Sequence, residues 1–473
     1  MHEIVEIFPS ERRKLYERFE PKLETALNLN RQQVSFQSNK EEPVSRWFKY
    51  KEGFSSGLVK YFITKYSKKP GKILDPFAGI GTTLFAAQTL GWKPTGIELL
   101  PVGIFVIETR RALKKVDPKE LSKNIRNLWE RLDKVENYTT HFNHISITRD
   151  AFPENTEIAL NNFLTYCDKI KNKESQIMLR FAAFSILEEL SYTRKDGQYL
   201  RWDYRSKRDL AGKPFDKGKI LTFEQAMKIK LSQMLVDVSP QNQSLFDTIE
   251  DNVHPEQIIN IIEGSCLEEL PKFEGDCFDF IFTSPPYCNR YDYTRTYALE
   301  LVYLGCNNDK VRALRQELLS CTVENKEKVD HLNQLYTSIG RKATFDKVMR
   351  AYESSAAMNE VNSTLDGLNK IDKLNNNNIP RMVKNYFLEL CFVIFEMSRV
   401  TKSGGYCAMV NDNVRYGGEE IPVDLILSEF AENFGFNIEK IFVLPRGKGN
   451  SSQQMGQYGR TEIRKCVYLW RKQ

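Results

Sequence analysis

Two short stretches of this chain combine residue types that can do chemistry. The first is Thr283-Ser284-Pro285-Pro286-Tyr287, directly after the run Phe278-Asp279-Phe280-Ile281-Phe282. Aromatic and β-branched residues broken by one Asp read as a buried strand, and two prolines end it. Proline has no N–H for a ladder, so the backbone must leave the sheet at this point. A hydroxyl, carbonyls without ladder partners and an aromatic ring are then gathered at a strand end. That set suits holding a planar ring that carries an amino group. Taken alone, a Pro-Pro turn closing a strand accounts for the same residues equally well.

The second stretch is Lys72-Ile73-Leu74-Asp75-Pro76-Phe77-Ala78-Gly79-Ile80-Gly81-Thr82-Thr83. A short apolar strand enters a glycine turn, and the turn opens a helix over Thr82 to Leu90 that Gly91 stops. Gly79 and Gly81 let the backbone approach a ligand closely, and the helix start offers free N–H groups. A second strand, Pro94 to Ile97, ends in Glu98, 17 residues after Gly81. That spacing suits a carboxylate that grips ribose hydroxyls from the neighbouring strand end. Leu84 stands where the dinucleotide fingerprint needs a third small residue, and no Walker pattern occurs. The features together favour a nucleoside-type cofactor without a pyrophosphate.

The elements that must position these stretches extend along the whole chain. Its 473 residues are enough for two or three domains or for one domain with large insertions. A hydrophobic fraction of 41% with 27% charged residues is that of a globular protein. No run reaches the 18 or so apolar residues of a membrane span, and Met1 to Arg13 has no apolar signal core. Nine cysteines without a C-x-x-C pair support neither a zinc site nor a disulfide framework, so no metal is expected and a reducing cytoplasm is. Ser10 to Leu27 is expected to be partly helical, and Ser55 or Ser56 to cap a helix through Leu58, Val59, Phe62 and Ile63. Gln257 to Ile262 reads as a strand that leads to Ser265 and Cys266. Beyond it come a helix over Met382 to Val400, a turn at Lys402 to Gly405 and a strand over Tyr406 to Val410. A helix over Val423 to Phe434 follows, then strands over Ile438 to Leu444 and Lys465 to Trp470.

Two segments interrupt this pattern, one over 111–254 and one over 306–384, and both read as largely helical. Residues 191–219 of the first hold nine Lys/Arg against four Asp, together with five aromatics. That net +5 is nearly the whole +6 of the chain. Basic residues interleaved with aromatics suit a polyanion with stackable bases; a solvated loop anchored by its aromatics is the plainer reading. Arg194, Lys195, Tyr199, Arg201, Trp202 and Arg205 are the candidates there. Arg290 and Arg295, just after the Pro-Pro break, and Arg446 and Lys448, in a glycine-rich basic loop, join them. The composition of the second segment names no role.

The pairing of Asp75-Pro76-Phe77-Ala78-Gly79-Ile80-Gly81-Thr82 with Thr283-Ser284-Pro285-Pro286-Tyr287 resembles the DNA amino-methyltransferases. The resemblance implies a doubly wound, mostly parallel seven-stranded α/β sheet with a terminal antiparallel hairpin. It implies methyl transfer from S-adenosylmethionine to an exocyclic base nitrogen in double-stranded DNA, with the target base flipped out of the helix. It also implies roles. Ser284, Pro285, Pro286 and Tyr287 are the catalytic tetrapeptide, in the serine form most common in the N4-cytosine branch. Asp75, Pro76, Phe77, Gly79, Gly81, Thr82 and Thr83 match the cofactor loop, and Glu98 the ribose-binding acid. Trp47 to Ser55, with Lys51, Phe54 and Ser55, is similar to the methionine-side motif. Ser265, beside Cys266, stands where many members carry an acid that contacts adenine.

The short motifs cover roughly 40–110, 255–305 and 385–473. On this reading 1–110 is the N-terminal segment with the cofactor-binding half, 255–305 the catalytic part and 385–473 the C-terminal part of the core. The segment 111–254 is the candidate target-recognition region, and 306–384 a second possible DNA contact. Covalent C5 chemistry is disfavoured, because no Pro-Cys dipeptide occurs. The alternatives are adenine-N6 methylation, RNA methylation, or a DNA-binding subunit with a degenerate core. A modification role implies a cognate endonuclease on a separate chain.

Overall fold

The structure is a computed structural model. It describes residues 10–29, 31–35, 37–51, 53–131, 142–196, 199–208, 214–238, 258–445 and 463–473. Its centre is an eight-stranded sheet. The strands of the described residues are β1 (Leu23–Thr25), β2 (Lys72–Asp75), β3 (Lys93–Glu98), β4 (Thr193–Asp196), β5 (Tyr199–Trp202), β6 (Asn260–Glu263), β7 (Phe278–Thr283), β8 (Thr401–Asp412), β9 (Val414–Tyr416), β10 (Glu419–Ile421), β11 (Phe436–Val443) and β12 (Lys465–Lys472). The large sheet runs β1-β11-β12-β8-β7-β2-β3-β6. Its pairs are parallel except where β12 lies antiparallel between β11 and β8.

The parallel core and the antiparallel hairpin are those read from the sequence. The eighth strand, β1, is an addition: Leu23 pairs in register with Ile441 of β11. Three residues in a charged segment give no alternation from which a strand could be read.

The chain leaves β2 toward β3 on one side, and β7 and β8 fill the other side. The boundary between β2 and β7 is therefore the switch point of the sheet, where ligands of open α/β sheets bind beyond the strand ends. Ile73 faces Phe280 and Leu74 faces Ile281 across it. The one Asp inside β7 also has a structural reason: Asp279 accepts from the Lys72 N–H at 2.8 Å and from Lys402 Nζ at 2.8 Å, pinning both neighbouring strands. The expected turn at Lys402 to Gly405 is instead a bulge inside β8. The register steps from Phe278↔Thr401 to Phe280↔Tyr406, and Gly404 takes φ 77.

Helices cover both faces of the sheet. Ser55 caps the helix Ser56–Tyr66, its side chain accepting from the Leu58 N–H. The helix Ile379–Val400 is nearly all buried. The two inserted segments do not stand apart from this core. Phe181 and Phe184 of the first lie 6.1 and 5.1 Å from Phe105, on the helix that follows β3. The second rests on Ile379–Val400 through buried carboxylates. Glu389 accepts from Ser320 and Lys328, and Glu396 from Tyr336 and Arg341. No helix among the described residues is long and apolar enough to cross a membrane.

Candidate active site

Two clefts meet at the carboxyl ends of β2, β3, β6 and β7. The first runs from the turn after β2 to the exits of β3 and β6. The turn after β2 forms its floor. Gly79 sits at φ 53, and a Cβ there would stand 3.3 Å from the Tyr50 ring, so the turn approaches the cleft with bare backbone. Glu98, at the end of β3, is 8% exposed. It accepts from the Gly79 N–H at 2.6 Å and the Leu100 N–H at 2.7 Å, which fixes the carboxylate beside the turn. Burial pushes the Glu98 carboxyl up to about 7, and the backbone N–H bonds pull the other way.

Asp75 has a different task. It accepts from the Phe77 N–H at 3.0 Å and from Thr283 Oγ1 at 2.7 Å, so it ties the glycine turn to the end of β7. Burial raises its carboxyl to about 6, against the hydrogen bonds from Thr283, Thr83 and Phe77.

Of the residues expected at a cofactor, Phe54, Pro76, Phe77, Gly79, Thr82, Glu98, Ser265 and Cys266 line this cleft. Ser55, Asp75, Gly81 and Thr83 do not, and each holds the frame behind it. Ser55 is spent on its cap. Gly81 takes the left-handed turn conformation at φ 80. Thr83 Oγ1 bonds the Phe282 carbonyl at 3.3 Å. Cys266 is buried, and burial pushes its thiol far up, which leaves it no thiolate character. Lys51 lies in the second cleft, with Nζ donating to the Lys195 carbonyl.

The second cleft is lined by Ser284, Pro285 and Tyr287 together with Asn289, Tyr291, Tyr293, Asp412 and Lys465. Ser284, Gly53 and Tyr293 line both clefts. The Ser284 hydroxyl is 3.1 Å from the Val410 carbonyl and 3.3 Å from the Tyr287 hydroxyl. The Ser284 hydroxyl is the donor in both contacts, so its one proton is shared between Val410 and Tyr287 and the serine lone pairs stay available as acceptors. The Pro285 carbonyl has no donor among the described residues. Lys465 Nζ stands 3.2 Å from Asp412 and 6.0 Å from the Tyr287 ring centre.

The basic stretch is a hairpin with dissimilar cations. Arg194 and Arg201 face each other across β4 and β5, at 5.2 and 4.0 Å from the ring of Phe215, and both are exposed. Arg208 covers half-buried Trp202 at 3.9 Å. Arg205 is bound to Asp203 at 2.6 Å and to the Gly218 carbonyl at 2.6 Å. Lys195 is 4% exposed and pairs with Glu300 at 2.5 Å, so it presents no charge on the surface. Tyr199 pairs with Asp196 in the hairpin register. Arg290, at φ 67, donates to Asn375 at 2.8 Å. Arg295 bonds Glu324 and lies 3.4 Å from Asp292. Arg446 and Lys448 lie outside the described residues.

Sequence reasoning missed Glu317, Leu318 and Leu319, which close the first cleft from within the second insertion, and Asp412 and Lys465 in the second cleft. It also missed Gly103, whose Cβ would stand 2.4 Å from the Gly79 carbonyl. The sequence Pro101-Val102-Gly103 opening a helix was the available signal for that one. The others carry no local pattern.

The chain matches a family described as DNA methylase over residues 2–102. It is 46% identical to the type II methyltransferase M.AvaI of Nostoc sp. over 464 residues, covering 97% of this chain and 92% of that protein. It is 41% identical to the type II methyltransferase M.BsoBI of Geobacillus stearothermophilus over 479 residues, covering 98% and 92%. No solved structure matches. With likeness of that depth over nearly its whole length, the chain belongs to the type II DNA methyltransferases of the N4/N6 amino-methylating family. Its methyl donor is S-adenosylmethionine.

Proposed function

We propose that this enzyme methylates the exocyclic N4 of cytosine in double-stranded DNA, at a site fixed by sequence, as the modification partner of a separate cytoplasmic restriction endonuclease. The observation that carries the reading is the meeting of the two clefts at Ser284. The first suits the cofactor: Glu98 for ribose hydroxyls and bare backbone at Gly79 fit a nucleoside. The second suits a base turned out of the helix, since an amine inside the duplex stack is out of reach.

S-adenosylmethionine brings an already activated methyl group, so the protein's task is mainly placement. Well-oriented reactants gain up to roughly 7–11 kcal/mol of the barrier from placement alone. The amine lone pair of the base is delocalised into its ring. Acceptance of its two N–H bonds by Ser284 Oγ and the Pro285 carbonyl favours a pyramidal nitrogen with its lone pair aimed at the methyl group. The N–C bond forms as the S–C bond breaks, and the nitrogen then releases one proton to water. Tyr287 stacks on the base, a contact worth about 1–3 kcal/mol by analogy with other base–aromatic pairs. The serine form of the tetrapeptide favours cytosine over adenine.

Arg194, Arg201 and Trp202 supply the DNA-facing surface in this reading, and Lys195 and Arg205 hold the hairpin in shape. The test is expression in a methylation-free host, with digestion of the DNA and identification of the modified nucleoside by mass. N4-methylcytosine, lost in Ser284→Ala, is the expected product. N6-methyladenine would overturn the choice of base, and full activity of folded Ser284→Ala would overturn the grip on the amine.

A further inference from the structure

Glu317 lines the first cleft and pairs with no cation among the described residues. It is the last residue of the helix Asn308–Glu317. That end carries the negative pole of the helix dipole, where a carboxylate is disfavoured. No cation repays this among the described residues. Arg315, the nearest in sequence, is already held by Glu324 at 2.9 Å and Asp292 at 3.1 Å. Glu317 is exposed, yet it lines the first cleft with Leu318 and Leu319. The segment is also fastened to the cleft: Ser265 Oγ donates to the Glu317 carbonyl at 3.1 Å.

That bond shapes what Ser265 can offer. Its one proton is committed to Glu317, and a neutral hydroxyl is a weaker acceptor than a carboxylate. Glu98 is engaged by two backbone N–H groups at the ribose side. The adenine of the cofactor carries an exocyclic amine with two donors, and a buried donor without a partner is costly. Beyond Glu98, the cleft ends in residues of β6's exit loop and of the second insertion, and Glu317 is the carboxylate among them. We propose that the Glu317 carboxylate accepts the adenine amine of S-adenosylmethionine, so that the second insertion, rather than the strand-end residue Ser265, supplies the charged adenine contact. The inference rests on the assignment of the first cleft to the cofactor.

The test measures binding of S-adenosylhomocysteine and of its hypoxanthine analogue, in which the amine is replaced by a carbonyl, by calorimetry on the full chain. A charge-assisted hydrogen bond predicts a preference for adenine of roughly tenfold to hundredfold in the wild type. Glu317→Ala is expected to bring that ratio close to one, by weakening adenine binding and relieving the clash with the carbonyl. Because Glu317 is exposed and unpaired, the variant should fold normally. A ratio unchanged in Glu317→Ala overturns the inference. Glu98→Ala separates the two levels: it should weaken both nucleosides alike. If it weakens neither, the cofactor lies elsewhere and the assignment of the cleft fails with it.

Discussion

The two inserted segments attach to the same sheet, but they place their exposed cations differently. The first shows two arginines outward on an aromatic face, Arg194 and Arg201 over Phe215. The second turns its cations inward onto buried carboxylates of the helix Ile379–Val400, with Lys328 at Glu389 and Arg341 at Glu396. The first therefore leaves charge on its surface, and the second uses charge to fix its own place. Yet the second, with the blander composition, reaches the first cleft directly at Glu317 to Leu319. Among the described residues, the first touches that cleft through packing: Lys195 lies 4.7 Å from the Tyr297 ring, and Tyr297 stacks at 5.1 Å on Tyr50, which lines the cleft. Local charge density marks where a protein can meet a polyanion. It does not mark where a segment meets the sheet.

The sharpest way to break this contrast is Lys195→Met. A surface cation would cost DNA affinity and leave stability alone. As an ion pair 4% and 1% exposed, Lys195–Glu300 predicts the reverse. Removing one partner strands Glu300, whose Oε2 is already buried without a hydrogen bond, at about 3–5 kcal/mol. Denaturant unfolding measures this directly. Unchanged stability with weaker, more salt-sensitive DNA binding would return Lys195 to the surface role.

Lys328→Met probes the other insertion, with a smaller effect. Glu389 keeps the Ser320 N–H at 2.8 Å and the Ser320 hydroxyl at 2.5 Å, so it is not left bare. A loss of about 1–3 kcal/mol is expected. Cofactor affinity should fall with it, because Leu319 and Ser320 are adjacent and the cleft wall loosens with its anchor. A stability loss with unchanged cofactor binding would show that the wall at Glu317 to Leu319 is held independently of Glu389.

Next in size is Arg194→Ala with Arg201→Ala. If each arginine meets one phosphate, the slope of log affinity against log salt falls by about 1.8. Stability and cofactor binding should stay as they were, since both side chains are exposed. The pair face each other in the hairpin, where like charges repel. A gain in stability without any change in the salt slope would mark them as a solvated face and remove the first insertion from the DNA.

How these roles could be read from the sequence differed by the range of the interaction. The strands β2, β3 and β7, the Ser55 cap and the residues of both motifs were legible, because each depends on neighbours a few positions away. The bulge in β8 was not, since Gly404 and Gly405 look like a turn until β7 is placed beside them. The fate of Lys195 was hidden for the same reason, since its buried partner lies 105 residues away. Arg205 is the exception to range: its Asp is two residues away, but in a segment dense with charge nothing singles that pair out. Glu317 was hidden most deeply, because its place depends on a helix end and on a cleft formed largely by residues more than 200 positions earlier.

The smallest effect separates the core's own carboxylate from the one brought by the second insertion. Glu98 titrates near neutrality because it is buried, at about 7 in the folded chain against 4.5 as a free side chain. Its folded value is raised, so the folded state holds the proton where the unfolded chain has lost it. Stability of the free enzyme therefore falls as pH rises from about 4.5 to about 7. If Glu98 holds the ribose as proposed, the hydroxyls donate to the ionised form and cofactor binding favours loss of that proton. Affinity should drop about twofold from pH 8 to pH 7 and more steeply below. Calorimetry in buffers of different ionisation enthalpy would detect the released proton. Glu98→Gln should flatten the profile, and Glu317→Ala should lower affinity at every pH without flattening it. A flat profile in the wild type would mean that the ribose is not held by Glu98.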